Sequence, residues 1–218
     1  VAVGTNASDA LTEASGTVAV GSGALGGLTT GSYNVGIGEA TGNYGTVLAD
    51  GIRNILMGNY THTSATNSQK QHVFGYNIAG SGDSTFTFGD GTVDTTCSFG
   101  GTTWSAPSDV RMKENIEDAE AGLSFINDLR PVTFQWKKAK DIPVDMPAYK
   151  EGSDEPVHGD EYGKTLHGFI AQEVKAVIDS HSEIKEGFDG WSVNATNDYQ
   201  RVGYTAFIPM LVKAIQEL

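Results

Sequence analysis

Glycine closes a short apolar phrase seven times in residues 1–107. The phrases are VAVG at 1–4 and again at 18–21, VGIG at 35–38, ILMG at 55–58, VFG at 73–75, FTFG at 86–89 and CSFG at 97–100. Their closing glycines fall 17, 17, 20, 17, 14 and 11 residues apart. Within a phrase the apolar side chains stand two residues apart, so they share one face of a short strand. Glycine then permits a corner at positive φ. One such coil cannot bury its own apolar face, but stacked coils, or three chains wound together, can. Residues 1–107 are therefore predicted to be mainly β, as a β-roll or an intertwined trimeric β-helix. The shrinking intervals predict a narrower, more tightly wound stem towards Gly100.

Composition supports that division. Residues 1–107 hold 20 of the 28 glycines, which argues against a globular core with long helices here. They carry 7 acids and 2 bases, while residues 108–218 carry 20 acids and 12 bases. A net charge of −13 with no basic run disfavours nucleic acid and anionic membranes as partners, because phosphate binding needs a positive footprint. No apolar run approaches the 18 residues of a membrane span, so no membrane insertion is expected. No signal peptide opens the chain, and VAVG already reads as one repeat unit, so the chain is expected to be a piece of a longer protein. The pattern at Leu218 is that of a helix still running. The single cysteine, Cys97, leaves no intrachain disulfide and is expected to be a buried structural thiol.

Several motifs in this half point to chemistry that their context does not support. Gly21-Ser22-Gly23-Ala24-Leu25-Gly26 has the glycine spacing of a dinucleotide fingerprint, and Glu39 follows at a fitting distance. The fingerprint needs a helix start beneath the pyrophosphate, and Gly27-Leu28-Thr29-Thr30-Gly31 will not hold one. His62 and His72 lack cysteine or carboxylate partners at metal-ligand spacing, so no metal and no cofactor are expected. Tyr33, Tyr44, Tyr60, Tyr76 and Trp104 would stack on sugars if exposed, but in a repeat they more often fill cores or corners.

The second half, 108–218, is predicted to be an α+β domain ending in a coiled-coil helix. A helix capped by Glu117 or Asp118 should run to about Leu129, where Pro131 stops it. Strands are expected at 132–136 and 165–169, with shorter ones at 191–193 and 199–202. Between the first two lies a long acid-rich excursion, 137–164. Its acids at 154–161 lack calcium-loop spacing and read as a solvated face. A helix is expected at 171–180. The last helix should start near Thr205, with Ile208, Leu211, Ile215 and Leu218 as a heptad seam and Pro209 in its first turn.

The border between the halves reads Ser108-Asp109-Val110-Arg111-Met112-Lys113-Glu114-Asn115-Ile116. From the residues alone, Ser108 and Asp109 are a helix N-cap, and Arg111 and Lys113 are surface charges. The same stretch holds the side chains of a Ser-Lys nucleophile pair. A serine hydroxyl needs a base, and a lysine in water titrates near 10.4, so about one in 2,500 is neutral at pH 7, a handicap of roughly 4.6 kcal/mol. Burial has to favour the neutral amine before it can take a proton. A separation of five does not align on a helix, so the chain must turn between the two or use groups from a neighbouring chain.

Four blocks now carry a resemblance. SDVRMKENI, LRPVTFQWK, HGFIAQEV and YTAFIPMLVKAIQEL resemble, in that order, the C-terminal intramolecular chaperone domain of phage tail spikes and tail fibres, best known from endosialidase tail spikes, with a related domain in myelin regulatory factor. The resemblance covers about residues 105–218. Separately, NVGIG at 34–38 resembles the β-roll head repeats of trimeric adhesins and the shafts of phage tail fibres. The chaperone resemblance implies a homotrimer on a phage virion, a host-surface receptor, and a chaperone part made in the host cytoplasm. It implies an autoproteolytic serine endopeptidase that folds the fibre and then cuts at Pro107–Ser108. Ser108 would be the nucleophile and Lys113 the base, with Asp109, Arg111, Gln172 and Glu173 in supporting places. The alternative is a structural adhesin or fibre whose chaperone-like trimerisation domain stays attached and uncut. A membrane-bound cellular factor would want a basic DNA-binding region, and a glycan hydrolase would want a carboxylate pair; neither is visible.

Overall fold

A computed structural model describes residues 1–91, 93–161, 163–184 and 186–218. The chain separates into two compact units, Val1–Glu114 and Asn115–Leu218.

In the first unit each glycine-closed phrase up to residue 89 supplies one rung of a β-solenoid. The rungs are β1 (Ala2–Val3), β2 (Val18–Val20), β3 (Val35–Ile37), β4 (Ile55–Met57), β5 (Gln71–Tyr76) and β6 (Thr85–Asp90). Consecutive rungs pair in parallel within the one chain. This is the β-roll of the two expected forms, not the intertwined one. The register places Val3, Val20, Ile37, Met57, Phe74 and Phe88 in one row. The corners show why glycine closes the phrases. Gly21 sits at φ +130°, and a Cβ there would lie 2.5 Å from the carbonyl oxygen of Gly38.

The tightly wound stem is a correction. The seventh strand, β7 (Val93–Ser98), runs antiparallel to β6, pairing Asp90 with Val93. Eleven residues are too few for another coil, and Gly91 at φ +54° suits a tight hairpin instead.

The solenoid interior is narrow and partly polar. Leu25, Leu28, Leu48, Leu56 and Val73 are fully buried. Beside them runs a ladder of buried amides. Asn54 donates from its backbone N and its Nδ2 to Asn34 Oδ1, both at 3.0 Å, and the backbone N of Gln71 donates to Asn54 Oδ1 at 2.9 Å. The ladder links backbone groups of successive coils that would otherwise be orphaned. Cys97 is buried and free. The stretch with the dinucleotide-like spacing forms turns, and its Leu25 fills the core.

The second unit packs α1 (Leu123–Asp128), β8 (Val132–Phe134), β9 (Leu166–Gly168), α2 (Ala171–Ser180), β10 (Trp191–Val193), β11 (Gln200–Val202) and α3 (Ile208–Gln216). The strands form two antiparallel pairs, β8 with β9 and β10 with β11. The core gathers Phe125, Val174, Ile178 and Phe207, with the rings of Phe125 and Phe207 stacked at 6.1 Å. The first helix is shorter than its acids suggested. Neither Glu117 nor Asp118 caps it; α1 begins at Leu123, whose backbone N donates to Glu217 Oε2 at 2.6 Å. That carboxylate comes from the end of α3, 94 residues away, and also favours the positive end of a helix. The final helix is preceded by a 3-10 turn, Tyr204–Phe207. Its seam residues Ile208, Leu211 and Ile215 are exposed. In the excursion, Lys138 and Lys140 both reach Asp154 at 2.7 Å, holding its carboxyl down to about 2. No helix among the described residues is long and apolar enough to cross a membrane.

Candidate active site

The end of the solenoid leads directly into the border stretch. Beyond β7 the chain turns back, and Ser105 exchanges two backbone hydrogen bonds of 2.9 Å with Thr96. Three residues later comes Ser108. Asp109, extended at φ −71° and ψ 134°, caps a 3-10 turn, Val110–Met112. The backbone N of Lys113 donates to the Val110 carbonyl at 3.1 Å and closes the turn. This tight turn shortens the path between positions five apart. Lys113 Nζ donates to Ser108 Oγ at 2.7 Å.

The turn is braced by Asp109 and Arg111. Asp109 Oδ1 accepts from the backbone N and the Nε of Arg111, both at 2.9 Å, and Oδ2 accepts from Arg111 Nη2 at 2.6 Å. The hydrogen bonds from Arg111 hold the Asp109 carboxyl below its ordinary range, and the same contact raises the guanidinium. A forked contact of this kind fixes orientation as well as charge.

Ser108 and Lys113 are exposed, as are Pro107, Val110 and Met112. As placed, Lys113 acts as donor. Nucleophilic chemistry needs the reverse arrangement, with Ser108 O–H donating to a neutral amine.

Gln172 and Glu173 lie in the second unit, on the first turn of α2. Glu173 is paired with Arg130, whose Nε donates to Oε2 at 2.9 Å, and this contact lowers its carboxyl. Gln172 is exposed and lines an open cleft of about 710 Å³ together with Trp136, Met146 and Tyr204. The cleft was not visible in the sequence, since its walls come from β8, the excursion, α2 and β11.

Other candidate residues sit as follows. Tyr33, Tyr44, Tyr76 and Trp104 are exposed rather than in the core, and Tyr33 and Tyr44 lie at bends of the solenoid. Tyr60 sits between Tyr44, tilted against it at 5.0 Å, and Tyr76, edge-on at 5.9 Å. His62 meets the edge of Tyr44, and His72 packs on Phe99.

No curated protein and no solved structure matches the chain. A family model does match, that of the chaperone of endosialidase, over residues 108–183. The match begins at Ser108 and takes in the braced turn, β8, the excursion, β9 and α2. Over residues 108–183 the chain is therefore similar to the chaperone of endosialidase family.

Proposed function

We propose that this chain is the distal part of a trimeric phage tail fibre or tail spike, used for host attachment. Its segment from Ser108 onward drives trimer folding and then cuts itself free at Pro107–Ser108. The observation that carries the reading is the 2.7 Å contact between Lys113 Nζ and Ser108 Oγ, at the first residue of a domain whose family is autoproteolytic.

In this reading Lys113 takes the hydroxyl proton of Ser108, and Oγ attacks the carbonyl carbon of Pro107. The C–N bond breaks, and the proton passes from Lys113 to the Ser108 nitrogen. The resulting ester between Pro107 and Ser108 Oγ is hydrolysed by water. The products are a carboxylate at Pro107 and a free amine at Ser108. The proline ring lies on the acyl side, so the leaving nitrogen is an ordinary amide. Lys113 needs a drier setting than it has in a single chain. Val110 and Met112, exposed beside it at 67% and 63%, offer apolar surface that a neighbouring copy can cover. Cleavage then waits for assembly.

The test is a time course of the parent, Ser108→Ala and Lys113→Ala on a denaturing gel, with oligomer size measured in parallel. Both variants are expected to stay uncut and trimeric, since loss of a general base removes about 10²–10⁴-fold in rate. Cleavage of Lys113→Ala at the parent rate overturns the dyad. A parent that assembles and never cuts supports the attached, structural alternative.

A further inference from the structure

The solenoid leaves one face of its sheet open. In each short rung the middle residue points inward, and Ala19, Leu56 and Val73 are fully buried there. Their neighbours point outward. The registers stack these into two rows, one from Val18 to Phe86 and one of Val3, Val20, Ile37, Met57, Phe74 and Phe88. A sheet with one face in water carries polar residues on that face. Apart from His72 in the first row, this one carries valine, isoleucine, methionine and phenylalanine, with Val3 57%, Ile37 37%, Met57 36% and Phe88 44% exposed. An apolar stripe this regular marks an interaction surface.

Three observations choose what covers it. The first is charge. Residues 1–107 hold 7 acids against 2 bases, and none of them lies in either row. Identical acidic chains repel elsewhere, but along this strip they meet without burying a carboxylate. The second is the chain's own behaviour. Past β7 it lays Trp104 against Phe86 and Phe88, with ring centroids 5.7 and 5.5 Å apart, and Phe99 against His72 at 4.7 Å. The face accepts apolar side chains of this same sequence at its β5–β6 end, and among the described residues the rungs from β1 to β4 have no such aromatic cover. The third is that the second unit, taken alone, also leaves an apolar stripe open, on α3. Association of like chains supplies a partner for each stripe, whereas two unrelated partners would otherwise be needed.

We infer that the outward row from Val3 to Phe88 is the contact face between copies of this chain, with rungs meeting at equal heights about an axis along the solenoid. This rests on the trimeric reading above and assigns the surface that reading leaves open. A closed rotational arrangement brings each row against its own counterparts.

The test uses the full chain. Ile37→Cys is made in a Cys97→Ser background, with Asp50→Cys, at a corner of the solenoid, as control. Mild oxidation should link Ile37→Cys chains in pairs on a non-reducing gel and leave Asp50→Cys chains single. In parallel, Ile37→Asp should sediment as a smaller species at dilutions where the parent stays assembled. If the parent is trimeric but Ile37→Cys does not link and Ile37→Asp stays trimeric, the face assignment is wrong and the trimer stands. If the parent is a monomer, the trimeric reading itself fails. The cysteine variant is a modest change at a half-open position, so a folding defect in Ile37→Asp alone leaves the outcome decidable.

Discussion

At the scale of single residues, the turn between Ser108 and Lys113 depends on the fork between Asp109 and Arg111. Arg111→Ala removes two side-chain contacts to the carboxylate and lets the turn loosen. Misplacement by about 1 Å can lower a rate about 10²-fold, so cleavage should slow by that order while the trimer persists. Arg111→Lys should rescue little, because a point charge cannot fork. In the proposed mechanism Arg111 positions the turn and exchanges no proton, so the pH dependence of the remaining rate should keep the parent's shape. A shifted profile would show that Arg111 acts on the base itself. The Ser-Lys pair was legible as residue types and as a family phrase. Its contact was not, because a 3-10 turn braced by a side-chain fork leaves no periodicity to read.

Secondary-structure elements divide by how local their causes are. The rungs were readable because each carries its own glycine corner and its own apolar spacing. Gly38→Ala should unravel the solenoid locally, since φ there is +130° and the new Cβ would lie 2.5 Å from the Gly58 oxygen. Asn54→Leu should lower stability by about 1–3 kcal/mol for each buried group left unpaired, measured by thermal denaturation; an unchanged midpoint would deny the amide ladder its role. The start of α1 was not readable, because its cap is Glu217, remote in sequence. Nor was the setting of His181, buried after α2 between Asp128 of α1 at 2.9 Å and Glu183 at 2.8 Å. Hydrogen bonds to Asp128 and then Glu183 raise its folded pKa above the ordinary 6.5. Stability from this raised group is present in full below about pH 6.5 and is lost as pH rises through the folded value. The second unit should therefore melt at lower temperature at pH 8 than at pH 6.5, and His181→Asn should flatten that difference. Equal slopes in parent and variant would remove His181 as the cause.

For the whole molecule, two apolar stripes and an exposed nucleophile pair have a common explanation in assembly. In the proposed trimer, copies of the chain would cover each of them. Binary patterning in the sequence showed that the first half could not stand as an isolated coil. It did not show which face would stay open, because the core positions and the outward row are both apolar. The decisive measurement for the proposed self-cleavage is the intact mass of the chain under denaturing conditions, followed over time after expression. Self-cleavage predicts loss of the 23.0 kDa species and growth of two fragments whose masses fit hydrolysis between Pro107 and Ser108. The larger-numbered fragment should begin at Ser108, and Lys113→Ala should show neither. Fragments that join at any other bond, or an assembled parent whose mass never changes, would contradict it.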